Sequence, residues 1–87
     1  MSYHIIDLVQ TRLQQRMVFW GVGNEAHTTD PRRALIVSEE YVNHNLERYD
    51  NGRTTRAILT NVVKKHTGDW RELMGWSTSN EQKGDAA

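Results

Sequence analysis

Arg33-Ala34-Leu35-Ile36-Val37-Ser38-Glu39-Glu40, in the middle of an 87-residue chain, decides the fold. Asp30-Pro31 stands just ahead and reads as a helix start, with Asp30 as N-cap and Pro31 at the first helical position. Two readings follow. In one, a single helix runs from residue 31 to about residue 49. Leu35, Val42, Leu46 and Tyr49 fit its face, and Glu39 interrupts the stripe. In the other, residues 33–37 form a short β-strand with Leu35-Ile36-Val37 as its core, and Ser38 caps a shorter helix. Ser38-Glu39-Glu40 is a good helix opening, because a serine oxygen satisfies a free amide and two carboxylates meet the positive end of the helix dipole. The second reading is preferred.

Working outward toward the C-terminus, Asp50-Asn51-Gly52 stops the helix, since Asn and Gly tolerate the left-handed conformation that ends helices. Thr54 or Thr55 can cap a further helix running to about His66. Its buried face is expected to be Ile58, Leu59, Val62 and Val63, with Lys64, Lys65 and His66 at its negative end. Thr67-Gly68 breaks it, Asp69 caps one more turn from Trp70 to Met74, and Gly75 stops that turn. From Ser77 onward no apolar residue occurs before Ala86, so a disordered polar tail over residues 77–87 is expected. Toward the N-terminus, Ile6, Val9, Leu13, Met17 and Trp20 recur at spacings of three and four. This pattern predicts an amphipathic helix over residues 3–20. A Gly-containing loop fills residues 21–29. The expected fold is therefore mainly α: an N-terminal helix followed by a strand-helix-helix unit, with a small all-α bundle as the alternative. One globular domain is expected over residues 1–76.

Length and composition narrow the function. A domain of this size buries roughly 60% of its unfolded surface, so dimerisation or docking commonly supplements its stability. Cysteine is absent, which excludes disulfides and thiolate metal sites and points to a cytoplasmic location. The N-terminus lacks the pattern of a signal peptide. The longest apolar runs, Met17 to Trp20 and Ala34 to Val37, fall far short of the ~20 residues of a membrane span. Net charge is zero, from 11 basic and 11 acidic residues, yet Arg53, Arg56, Lys64 and Lys65 share a stretch without an acid.

Catalytic signals are lacking. No cysteine nucleophile, Gly-x-Ser-x-Gly elbow or opposed carboxylate pair occurs, so the chain is read as non-enzymatic and without a cofactor. Gly21-Val22-Gly23-Asn24-Glu25-Ala26 matches a dinucleotide-binding pattern but lacks its strand–helix setting, and is read as a loop. Glu40, His44 and Glu47 could share a helix face, but a solvated face accounts for them and no metal site is assigned. Trp70 with Leu73 or Met74 can fold back as a lid. Alternatively Trp70, Met74 and Trp76 form an exposed binding patch.

Strand, Ser-capped helix, Asn-Gly turn and Thr-capped helix, in that order, resemble the ribbon-helix-helix family of DNA-binding repressors (Arc, Mnt and MetJ type). Asn51-Gly52-Arg53-Thr54 is similar to the Asn-Gly-Arg-Ser turn between the two helices of the phage members. The resemblance covers about residues 32–66. It implies a homodimer whose antiparallel strands enter the DNA major groove. Arg32 or Arg33 would lie on the ribbon, Thr54 and Thr55 at a phosphate, and Arg53 and Arg56 nearby as electrostatic support. The function so implied is transcription regulation by a small repressor or accessory factor of phage or plasmid type. The alternative is a helical protein-interaction module, an inhibitor or assembly factor docking on a host or viral protein through Trp70, Met74 and Trp76. Zero net charge, the unbroken Ala34 to Val37 run and three tryptophans suit it.

Overall fold

His4-Ile5-Ile6 places three consecutive side chains in the interior, each no more than 1% exposed. A strand sends successive side chains to opposite faces, so such a run requires cover on both sides. The computed structural model, which describes residues 1–66 and 69–74, supplies that cover. The run lies in β1 (Ser2–Asp7), the central strand of a five-stranded antiparallel sheet.

β1 ends where Asp7 accepts a 3.0 Å bond from the amide of Gln10 and caps α1 (Leu8–Gln14). This helix turns Leu8 and Thr11 inward and leaves Val9 and Leu13 exposed. The Thr11 hydroxyl accepts from the amide of Val18 at 3.0 Å, fixing the chain as it turns back. β2 (Phe19–Trp20) and β3 (His27–Thr28) form a hairpin. A 3-10 turn, Pro31–Arg33, follows with Asp30 as its cap. Then come β4 (Ile36–Ser38), α2 (Glu39–His44), α3 (Leu46–Tyr49), β5 (Thr55–Leu59), α4 (Thr60–Lys65) and α5 (Trp70–Met74).

β5 lies along one full edge of β1, from Tyr3 opposite Leu59 to Asp7 opposite Thr55. The other edge is shared: β4 pairs with Ser2 to His4, and β2 pairs at Ile6. Between them, Gly21 bridges Ala34, and the Leu35 amide donates to Trp20 O at 2.8 Å. The core is correspondingly double. Ile6, Leu8, Phe19, Ala34 and Val63 form one cluster, joined by Met17, Ile58 and Trp70. Ile5, Val37 and Val42 form the other, joined by Tyr3, Trp20, Leu35, Tyr49 and Ala57. The sheet is thus sandwiched between α4 with α5 and α2 with α3. Each isoleucine so buried contributes about 1.5–3 kcal/mol of transfer free energy.

The fold is mixed α/β, which corrects both the mainly α expectation and the all-α alternative. The expected helix over residues 3–20 is a strand, a two-turn helix and a hairpin strand. The helical stripe there was coincidental: Leu13 on it is 72% exposed, while Ile5 off it is fully buried. Residues 54–66 were expected as one helix, but Thr55–Leu59 is a strand because β1 offers it a full-length partner. A strand-helix-helix unit is therefore not formed, and Asn51-Gly52 joins helix to strand. In the middle segment a strand does precede a helix capped by Ser38, but the strand is Ile36–Ser38 where residues 33–37 are expected, Arg33 belongs to the 3-10 turn, and Asn45 splits the helix in two. The expected breaks at Thr67-Gly68 and Gly75, and the tail over 77–87, lie outside the described residues. Among the described residues no helix is long and apolar enough to cross a membrane.

Candidate functional site

β4 is a sheet edge, and its backbone alternation shows what that edge offers. The amides of Leu35 and Glu39 donate inward, to Trp20 O and Met1 O at 2.8 and 2.9 Å. Val37, opposite Tyr3, faces the same way. Alternation then turns the N–H and C=O of Ile36, and the N–H of Ser38, away from β1. No described strand lies on that side. Ala34 (φ −79°, ψ 154°) and Ser38 (φ −70°, ψ 157°) are also extended, so the straight segment runs from 34 to 38.

β5 also has an outer edge, but its own preceding turn covers the first half of it, from Thr55 to the Ala57 amide. Asp50 Oδ1 accepts from Ala57 N at 3.3 Å, Asn51 Oδ1 from Thr55 N at 3.3 Å, and Thr55 O from Gly52 N at 2.9 Å. β3, at the far end of the sheet path, is only two residues long. The β4 edge therefore stands apart.

Beside it lies an apolar groove of about 420 Å³, lined by Leu35, Ile36, Val37, Ser38, Tyr41 and Tyr49. The tyrosines come from the two helices that cover this face of the sheet. Ser38 accepts from the amide of Tyr41 at 3.3 Å and so starts α2 directly from the strand end. Asn45 interrupts the helical run, and its side chain donates to Tyr41 O at 3.0 Å. Tyr49 is fixed by Trp20, ring to ring at 5.8 Å edge-on, with the Arg48 guanidinium 5.5 and 5.6 Å from the two ring centres. Tyr41 is 64% exposed and Ile36 50%. One wall is thus rigid and the other open to solvent.

Charges flank the edge. Arg32 and Arg33 precede it, the first 3.2 Å from Asp30 and the second 3.1 Å from Glu25. The Arg32 guanidinium and amide bonds hold the Asp30 carboxyl below its ordinary range. Glu39 and Glu40 follow it, Glu39 at 4.0 Å from the Met1 amino group.

The DNA-contact residues expected from sequence fall into two groups. Arg32 and Arg33 sit on the 3-10 turn before β4. Arg53 and Thr54 lie in the turn before β5, and Thr55 and Arg56 in β5 itself, with β1 between that strand and β4. Thr55 is buried and its hydroxyl donates to Arg48 O at 2.8 Å. The Thr54 hydroxyl accepts from Asn51 Nδ2 at 2.8 Å. Arg53 lies 3.7 Å from Glu47. Of the expected aromatic patch, Trp70 packs half-buried on the Ile6 cluster. The side chain of Met74 and all of Trp76 lie outside the described residues. Glu40 and His44 are on α2 and Glu47 on α3, and no group of three metal-ligating side chains forms among the described residues. Residues 21–26 make the turn of the β2–β3 hairpin.

Sequence reasoning missed two features. Leu46 reads as core-facing, yet it is exposed, and so is Tyr41, which carries the open wall of the groove. His4 went unread altogether. It is buried and donates from Nε2 to Pro31 O at 2.8 Å, since a carbonyl can only accept, which leaves Nδ1 to accept from the Thr60 hydroxyl at 3.2 Å. A polar residue beside Ile5-Ile6 was the available signal. Comparison with protein-family models, curated proteins and solved structures finds no match for this chain.

Proposed function

We propose that this chain is a non-enzymatic protein-binding module that receives an extended segment of another polypeptide along the free edge of β4. Main-chain bonds to Ile36 and Ser38 supply the pairing, and side chains of the incoming segment enter the groove between Tyr41 and Tyr49. Strand addition of this kind draws affinity from backbone bonds and specificity from alternate side-chain pockets. The observation that carries the reading is the contrast between edges: Asp50, Asn51 and Gly52 cover the first half of the β5 edge, whereas β4 is open beside an apolar groove. Proteins ordinarily blunt such edges with lysine, proline or a bulge, and Ile36-Val37-Ser38 has none of these.

DNA contact, the expectation drawn from the Asn51-Gly52-Arg53-Thr54 turn, has less support. Arg32 and Arg33 lie before β4 and Arg53 to Arg56 at β5, with β1 between the two strands, and the buried Thr55 hydroxyl is already bonded to Arg48 O. A low-salt duplex titration tests it, since phosphate contacts would give steep salt dependence.

The direct test is selection of displayed random linear peptides on the folded chain, followed by amide chemical-shift mapping. Selected peptides are expected to shift residues 35–41 and 49, and to lose binding to Tyr41→Ala. Peptides that shift amides elsewhere, or a selection that yields no binder, would overturn the proposal.

A further inference from the structure

We infer that the polypeptide received by the β4 edge is a second copy of this chain, paired antiparallel about Ile36, so that two five-stranded sheets become one continuous sheet. The inference rests on the edge-binding reading above and names its partner.

The order of charges along the edge is the main argument. Two arginines, Arg32 and Arg33, precede the apolar segment, and two glutamates, Glu39 and Glu40, follow it. They lie symmetrically about Ile36. A two-fold axis through that residue brings the Arg32-Arg33 turn at one end of each edge beside the Glu39-Glu40 helix start at the opposite end of the other copy's edge. Leu35 meets Val37 of the partner subunit, apolar on apolar. A parallel arrangement would instead stack arginine on arginine and glutamate on glutamate. The edge is therefore complementary to itself in one orientation, as an isologous interface must be.

Backbone geometry agrees. Ile36 turns both its N–H and its C=O outward, and an antiparallel bonded pair on the axis uses both groups from each chain. Extended backbone from Ala34 to Ser38 leaves room for neighbouring residues to align. Exposed apolar surface of Ile36 and Tyr41 flanks the axis on each copy. Zero net charge removes long-range repulsion between copies. The present ion partners of Arg32, Arg33 and Glu39 are local, and at least one member of each pair is well exposed. Exchanging such pairs for intermolecular ones costs little.

Sedimentation equilibrium of the whole chain, with charge-reversal variants, tests this. Wild type is expected to be dimeric at high micromolar concentration, with slowed amide exchange at Ile36 and Ser38. The double variant Arg32→Glu/Arg33→Glu and the double variant Glu39→Arg/Glu40→Arg are each expected to dissociate at about tenfold higher concentration or more. An equimolar mixture of the two is expected to recover the dimer, because each then presents the charges the other lacks. Ile36→Pro removes an outward N–H that bonds nothing within the chain, so it should abolish the dimer while circular dichroism stays unchanged. A wild-type chain that remains monomeric at millimolar concentration overturns the inference. So does a dimer indifferent to both charge reversals, or one that leaves exchange at Ile36 unaltered. If the chain is monomeric yet displayed peptides still shift residues 35–41, the partner is a different protein and the edge-binding reading survives.

Discussion

His4 Nε2 donates a 2.8 Å hydrogen bond to the carbonyl oxygen of Pro31, tying the central strand to the turn that launches β4. The other ring nitrogen, Nδ1, accepts from Thr60 at the start of α4. One buried side chain thus holds a strand, a turn and a helix together, with Phe19 edge-on at 5.4 Å.

Replacing His4 by alanine removes both bonds and leaves a cavity in the first core cluster. A loss of about 2–4 kcal/mol is expected in urea unfolding. Thr60→Val keeps the volume and removes one bond, so a loss of about 1 kcal/mol is expected. Equal losses for the two variants would contradict this arrangement.

Asn51 accepts from the amides of Arg53, Thr54 and Thr55 and donates to Glu47 O and Thr54 Oγ1. Asn51→Ala is expected to cost about 2–3 kcal/mol, because it leaves several turn amides without a protein partner. Gly52 sits at φ +78°, where a side chain is strained, so Gly52→Ala should cost about 1 kcal/mol. Since this turn also covers the first half of the β5 edge, Asn51→Ala should aggregate more readily on heating, which light scattering would register.

At Gly21 an added Cβ would lie 2.5 Å from the backbone oxygen of Glu25. The obstacle is main chain, so the β2–β3 hairpin itself has to shift. Gly21→Ala is expected to lower stability by about 1–3 kcal/mol. Gly23→Ala meets no atom within 4 Å and should cost less, through its positive φ of 62° alone. The two melting temperatures compare them directly.

Asp30 and Asp69 both have carboxyl pKa values lowered in the fold. At Asp30 the largest cause is the Arg32 side-chain bond, and at Asp69 it is the backbone bond from Arg71. A lowered folded value means these groups contribute stability above the ordinary aspartate value, near 4, and lose it as pH falls through the depressed one. Carbonyl-carbon titration should show both titrating below the ordinary aspartate value. Arg32→Ala should move Asp30 upward and leave Asp69 unchanged.

Local signals in the sequence were readable where one residue's chemistry decides the backbone. Ser38 opens α2, Asp30 caps the turn at Pro31, Asn51-Gly52 breaks the chain, and Asp69 accepts from the amide of Arg71. What was illegible depended on distant partners. Thr55–Leu59 could follow either periodicity until β1 lay beside it. Ile6, Val9 and Leu13 fit a helical stripe, and only the adjacency of Ile5 and Ile6 hinted at a strand covered on both faces. The groove was invisible for the same reason: Tyr41 and Tyr49 fit one helix face, and the break at Asn45 separates an exposed ring from a packed one.

The central position of β1 also bears on how the molecule assembles during synthesis. Its residues leave the ribosome well before those of β5, and Tyr3 must await Leu59, 56 residues later, before its long edge is matched. Closing so wide a loop is entropically slow. A nascent chain halted before β5 would hold its most deeply buried strand unshielded along one edge, so chaperone demand should peak at that length and fall sharply once residue 59 has emerged.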